Sequence, residues 1–448
     1  MTLNTITLIR PNMGDWRSTD AFTPLALGIL AARTPAGVEV RFYDERLEPI
    51  PADDQPDIAA LSVETFTAHR AYTIADGYRS RGVTVILGGY HPTALPDEAL
   101  QHADAVVIGD AEGCWEQLLA DFQADRLEQR YSGGNARALE TMLIDRTIFA
   151  GKRYVPIEVV QFTRGCRFAC DFCSIHAFYG ANLRTRPTAD LYAELRTFNR
   201  RRLLFFADDN LFCSRERLAE LLAMLVPLKL RWACQISIDA SRDDDLLDQL
   251  KAAGCKAVLI GFESLEAANL KQMGKAWSKS DYKEVVRRLH QRSIAVYGTF
   301  VFGYDADTTE SIERSLEFAL DANLDIVNLN PLTPMPGSTL YKRLFDEGRL
   351  VEPDGRWWLN PDYRYGTPIF TPRGMSAEAM SEACYAAKRR FYEWRYIVRR
   401  AGQHLLRGNL FQAGIVALAN IISRREVLAK QYRPFIGWKH GVNETHAS

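Results

Sequence analysis

The chain has 448 residues, 47% of them hydrophobic and 25% charged, with a formal net charge of −1. That length accommodates two or three domains with their own cores, and the near-neutral balance argues against a general nucleic-acid binder, which would carry a basic excess. Eight scattered or clustered cysteines are too few for a disulfide scaffold, and no run of about 18 apolar residues marks a spanning helix.

"MTLNTITLIRPN" lacks a basic segment followed by a long apolar run, so no secretory signal is expected and the location expected is cytoplasmic. From residue 1 to about 125, "ITLIR", "VEVRFYD", "IAALSV", "TVILGG" and "AVVIGD" read as strands. "PLALGILAARTP", "TAHRAYTIADGYRSR" and "LPDEALQHA" read as helices between them. This alternation predicts a doubly wound, Rossmann-like parallel sheet, with ligands at the carboxyl ends of its strands.

Residues 126–150 are polar and irregular and read as a linker. Alternation then resumes with "IEVVQFT", "RLLFFADD", "LRWACQISID", "AVLIGFES", "VYGTFVFG" and "DIVNLNPL". Six β/α units suit a partial TIM barrel, (β/α)6, rather than a closed eight-stranded one. Asp208, Asp209, Asp239, Glu263 and Asn330 end most of these strands and mark one face as the site. The expected division is 1–135, 150–345 and a mainly helical region, 346–448.

"FTRGCRFACDFCS" (Phe162–Ser174) holds Cys166, Cys170 and Cys173 at the end of the first barrel strand. Three thiolates can hold three irons of a 4Fe–4S cluster and leave the fourth open for a ligand. The alternative is a Cys3His zinc site completed by His176, which would make the chain a non-enzymatic module. Structural zinc more often staples small modules that lack a core, and this chain has ample core.

C-x3-C-x2-C at this place resembles the radical S-adenosylmethionine (SAM) superfamily. Phe172 stands where that family keeps an aromatic residue beside the adenine. "FFADDN", with Asp208 and Asp209, resembles the motif that holds the methionine amino group. "CQISID", with Gln235 and Ser237, and "GFES", with Glu263, occupy the strands that supply ribose and carboxylate contacts. "GTFVFGYDAD", with Phe302, resembles the glycine motif that supports adenine through backbone groups, and "PLTPMPGSTLY" resembles the closing segment. The resemblance implies a 4Fe–4S cluster, SAM cleavage to a 5′-deoxyadenosyl radical, and an external electron donor such as flavodoxin or ferredoxin.

The first domain resembles the cobalamin-binding arrangement of one large subfamily. "LSVET" contributes Ser62, Val63, Glu64 and Thr65; "ILGGYHPTALPDEAL" contributes Gly88, Gly89, His91 and Pro92; and "ADAVVIGDAEGCW" contributes Gly109. Small residues at these strand ends let a nucleotide tail run close to the backbone. The loop after the first strand, "PNMGDWRSTDAFTP", contains no histidine, so no histidine ligand to cobalt is expected.

The resemblance therefore implies a cobalamin-dependent radical SAM methyltransferase acting on an unactivated carbon of a small-molecule or lipid-like substrate. A cyclase, ring-contraction or oxidation enzyme using the same cofactors stays open as the alternative. No catalytic acid–base residue is assigned. "LFQAGIVALANII" (Leu410–Ile422) is too short to span a bilayer and reads as a helix docked on the barrel or lying on a membrane surface. Trp357, Trp358, Tyr363 and Tyr365 read either as a wall over the barrel mouth or as a packed interdomain loop.

Overall fold

The computed structural model describes residues 2–14, 17–134, 139, 142–212, 214–278 and 281–434; Cys213 lies outside them. Each expected strand forms, most ending a few residues short where the chain turns into the loops that carry the site. β1 (Thr5–Arg10), β2 (Glu39–Asp44), β3 (Ile58–Ser62), β4 (Thr84–Gly88), β5 (Ala105–Ile108) and β6 (Arg130–Ser132) make one parallel sheet in the order β2-β1-β3-β4-β5-β6. The winding direction switches between β1 and β3, which opens a crevice at their carboxyl ends. "IAALS" and "TVILG" are apolar through their centres because helices cover both faces. Leu27, Leu118, Leu119 and Phe122 pack on one face, and Ala71, Ile74, Ala75 and Tyr78 on the other.

The linker reading needs correction at its start. Arg130–Ser132 adds the sixth strand, with only Tyr131 buried. A three-residue edge strand has too short an apolar pattern to stand out in a sequence.

The second sheet contains β7 (Ile157–Val160), and a short antiparallel ladder follows between β8 (Thr163–Arg164) and β9 (Arg184–Thr185). Then come β10 (Leu203–Phe206), β11 (Arg231–Ile236), β12 (Cys255–Glu263), β13 (Ala295–Phe302) and β14 (Ile326–Pro331). The six long strands run parallel in the order β14-β13-β12-β11-β10-β7, a partial barrel whose end strands do not meet. Phe206, Trp232, Ile260, Phe262, Phe300 and Leu329 are buried beneath the surrounding helices. The alternate positions Phe205, Gln235, Gly261, Thr299 and Asn328 are only partly covered and face the inside. Helices begin on Ser214, Asp243, Asp281, Thr308, Ser338 and Ser376, whose side chains accept from first-turn amides.

Helices Ala377–Phe391, Trp394–Leu406 and Leu410–Lys430 close the β14 side. The Tyr392 hydroxyl donates to Val327 O at 2.7 Å. Among the described residues no helix is long and apolar enough to cross a membrane. Trp357 and Trp358 are buried, Trp357 packing at a tilt on Phe66 and Trp358 edge-to-face on His91 of the first domain, and the Trp358 indole donates to Glu98 at 2.9 Å. The aromatic loop is thus an interdomain contact at these two residues.

Asp325 ties the C-terminal helices to the barrel. It is buried, 2.9 Å from His290 Nε2 and 2.5 Å from His404 Nε2, and it accepts from Val296 N at 2.8 Å. Burial alone would raise its pKa, but the hydrogen bonds from His290 and His404 outweigh it and hold the carboxyl well below the ordinary range. A depressed folded pKa stabilises above the unfolded value of about 3.9 and loses that contribution as pH falls through the folded pKa. Thermal midpoints measured from pH 5 downward should fall below about pH 4, and Asp325→Asn should flatten that acid limb. An unchanged limb in the variant would remove Asp325 as its source.

Candidate active site

The cysteine loop is held by contacts from four directions. Gly165 has φ +90°, and a Cβ there would meet Asn182 O at 2.1 Å, so the turn into the loop requires glycine. Asp171 accepts from the Tyr304 hydroxyl at 2.5 Å and pairs with Arg343 at 2.9 Å. Its amide donates to Met273 O at 3.1 Å. Phe168 stacks on Trp277 with centroids 3.9 Å apart, and Arg167 pairs with Asp239. Helix Ser174–Tyr179 begins immediately after Cys173.

Cys166, Cys170 and Cys173 are free thiols that influence one another electrostatically. Burial pushes the Cys170 thiol up to about 12, and burial also raises that of Cys173. Lys275 opposes the rise at Cys170. Among the described residues no three His, Cys, Asp or Glu side chains converge as ligands of one metal ion. His176 Nδ1 is buried without a hydrogen-bond partner.

The two adjacent carboxylates just past β10 separate by burial. Asp208 points away from the barrel interior and is 2% exposed. It accepts the Phe162 amide at 3.2 Å and the Thr163 amide. Burial raises its pKa to about 7. Its carboxylate is therefore a clamp on the chain entering the cysteine loop, which corrects its expected placement beside the methionine amino group. Asp209 lies on the inner side, near the Gly165 amide at 3.4 Å, and burial raises it to about 6. Gln235 donates to Asp209 O at 3.0 Å, and Ser237 accepts from Asn210 at 3.1 Å.

Glu263 adopts φ +63° at a bulge of β12 and pairs with buried Lys275 at 2.9 Å. Lys275 also donates to Gly261 O at 3.1 Å. The sequence reading missed this lysine, since only folding brings residue 275 to residue 263. Phe172 is partly buried at the edge of the barrel core. Phe302 is fully buried on the outward side and Val301 takes the inner position, so a contact from Phe302 to adenine would come from its backbone.

A cavity of about 500 Å³ lies between the two sheets at their carboxyl ends. Ser62, Gly88, Gly89 and Gly109 line it from the first domain; Gln161, Phe178 and Phe205 line it from the barrel side. Gly89 has φ +104°, and a Cβ there would meet Val63 O at 2.8 Å. Val63, Glu64, Thr65, His91 and Pro92 are not on the wall. Val63 and Thr65 are buried beneath it, and Glu64 pairs with Arg10 at 2.9 Å. His91 is fully buried, its ring nitrogens 3.3 Å from Thr65 and 3.0 Å from Glu98, and it is a packing residue.

A buried ionic cluster seams the two domains beside this cavity. Arg164 lies 2.8 Å from Glu112 and 3.0 Å from Asp110, and Arg184 lies 2.9 Å from Asp110. The "GDAE" segment thus faces the residue two positions before the first clustered cysteine.

Family models for the B12 binding domain and the radical SAM superfamily match residues 20–119 and 160–319. The chain is 30% identical over 390 residues to bacteriochlorophyllide d C-12(1)-methyltransferase of Chlorobaculum tepidum, covering 84% of each chain. It belongs to the cobalamin-binding radical SAM methyltransferase family. Hopanoid C-2 methylase of Rhodopseudomonas palustris is 27% identical over 352 residues, covering 74% of this chain and 66% of that one. The solved radical SAM methyltransferase TsrM of Kitasatospora setae shares the fold, with a TM-score of 0.63, 15% identity and 85% coverage of both chains.

This cobalamin-dependent radical SAM methyltransferase takes a 4Fe–4S cluster, SAM and cobalamin, and membership overturns the non-enzymatic zinc alternative. The residues present fit those groups. Three soft thiols, with no fourth ligand gathered beside them among the described residues, suit a cluster with one open iron, and bound cations would reverse the cost of burying thiolates. The glycine-lined floor and the apolar walls leave room for a large macrocycle close to the backbone.

Proposed function

We propose that Cys166, Cys170 and Cys173 hold the cluster and that Asp209, Gln235, Ser237 and Glu263 line the SAM position. Ser62, Gly88, Gly89 and Gly109 would make the floor on which cobalamin rests. The observation that carries this reading is the cavity between the carboxyl ends of both sheets, with the cysteine loop at its barrel side. Residues 1–135 would supply the cobalamin side, 150–345 the radical side and 346–448 the cover over the barrel's β14 edge.

When bound, the cofactors supply radical hydrogen abstraction and methyl delivery to an unactivated carbon. The chain's own residues bind, orient and shield. Phe205, Phe178 and Ile175 keep the cavity wall apolar and exclude water from a reactive centre. Asp208 fixes the entry to the cysteine loop, and the Glu263–Lys275 pair places one buried charge of each sign behind it. No side chain in the cavity is needed as a general base, since no proton on an oxygen or nitrogen has to be moved.

The substrate we infer is a large, rigid, mostly apolar polycycle. The named substrates of the two methylating relatives, a bacteriochlorophyllide and a hopanoid, support that class, as do the apolar walls. An external one-electron donor of flavodoxin or ferredoxin type would reduce the cluster. The test is anaerobic turnover with SAM, cobalamin, reductant and either a bacteriochlorophyllide or a hopanoid, followed by mass spectrometry. A product heavier by one methyl, with S-adenosylhomocysteine and deoxyadenosine formed together, is the expected result. Deoxyadenosine without a methylated product from either probe would sink the substrate class.

A further inference from the structure

The turn between helices Trp394–Leu406 and Leu410–Lys430 carries three exposed leucines within six residues: Leu405 is 51% exposed, Leu406 90% and Leu410 77%. Trp394, Val398 and Leu418 extend the exposed apolar surface along both helices. Basic residues accompany them. Residues 391–434 hold eight Lys or Arg and two Glu, in a chain whose overall charge is −1. Arg399, Arg407 and Arg425 are exposed on these helices or in the turn between them. Arg407 also lines a cleft of about 640 Å³ with Lys283, Arg287 and His290. Asp321 is the cleft's acidic group and pairs with Lys283 at 3.5 Å, and Arg287 pairs with Glu284.

We infer that this turn and cleft dock the protein on an anionic lipid bilayer, the leucines entering the interfacial region and the arginines meeting headgroup phosphates. Exposed large apolar side chains ringed by cations are what an anionic membrane surface accommodates: burial for the first and opposite charge for the second. A second copy of the chain is disfavoured because it would bring the same arginines together. Nucleic acid offers charge but no apolar layer for the leucines. The patch lies beside the amino ends of β13 and β14, opposite the cysteine loop. It therefore acts independently of the proposed chemistry, and substitutions there leave the active site intact.

The experiment is co-sedimentation of the full chain with phosphatidylglycerol vesicles and, separately, phosphatidylcholine vesicles. Binding should be at least tenfold tighter to phosphatidylglycerol and should weaken in about 0.5 M salt, where screening shortens to a few ångströms. The double variant Leu406→Asp, Leu410→Asp and the double variant Arg399→Glu, Arg407→Glu should each lower binding at least tenfold. Both should keep the wild-type thermal midpoint, because the side chains are exposed. Equal sedimentation with both lipids, no sedimentation, or unchanged binding in both variants would overturn the inference. So would a dimer in sedimentation velocity that the leucine variant dissolves while vesicle binding is absent.

Discussion

Cys170→Ala should leave the anaerobically reconstituted protein without cluster absorbance and lower SAM cleavage at least 100-fold, the scale on which losing a metal-site partner acts. Cys170 is buried, as Cys166 and Cys173 are only in part, and it stands between them in the chain. Two thiolates on a loop this short hold no third iron, so cluster and cleavage should disappear together rather than separately. The companion variant is His176→Ala. His176 Nδ1 has no hydrogen-bond partner, and Cys166, Cys170 and Cys173 form the proposed set without it. Iron content and deoxyadenosine yield should therefore persist in His176→Ala. Retained iron in Cys170→Ala, or loss of iron in His176→Ala, would reassign the ligands.

Arg164→Ala should destabilise the protein by about 3–5 kcal/mol, the cost of stripping one partner from a buried ionic cluster. Asp110 and Glu112 are nearly inaccessible, and Arg164 bridges them from the other domain. Removing it leaves two buried carboxylates, of which Asp110 keeps Arg184 at 2.9 Å and the Tyr179 hydroxyl at 3.3 Å. The loss should shrink when Asp110→Asn and Glu112→Gln are combined with Arg164→Met, because the residual charge is then gone. Denaturant unfolding of the single and triple variants makes this comparison. Cobalamin retention reads the same seam, since Asp110, Glu112 and Arg164 all line the cavity. Equal destabilisation of the two variants would show that packing, not charge, dominates at this position.

Several parts of the site were legible before folding because they depend on neighbours in the chain. Cys166, Cys170 and Cys173 share one loop, and their spacing admits an open cluster or a Cys3His zinc site; the family resemblance of the motifs that follow in order favours the cluster. Gly88 and Gly89 follow an apolar strand directly, so their place at a strand end could be read from local pattern. Asp208 and Asp209 were read as equivalent, yet just past the end of β10 Asp208 is buried and Asp209 is only partly covered. One clamps backbone and the other faces the interior. His91 follows the glycines in sequence, but the short helix Tyr90–Ala94 turns it away from the cavity toward Glu98 and Trp358.

By itself, the sequence determined the two α/β units, their order, and the motifs whose resemblance to a known family implies the cofactor chemistry. Alternation and turn residues act within a few positions, so a single chain carries that information in full. The tertiary structure decided the Glu263–Lys275 pair, the Arg164 seam, the Asp325 tie to the C-terminal helices, and which carboxylates face the cavity. Those depend on charges and side chains separated by 12 to 79 residues. A buried charge finds its partner only when two elements pack, because desolvation makes the pairing matter only once water has been excluded.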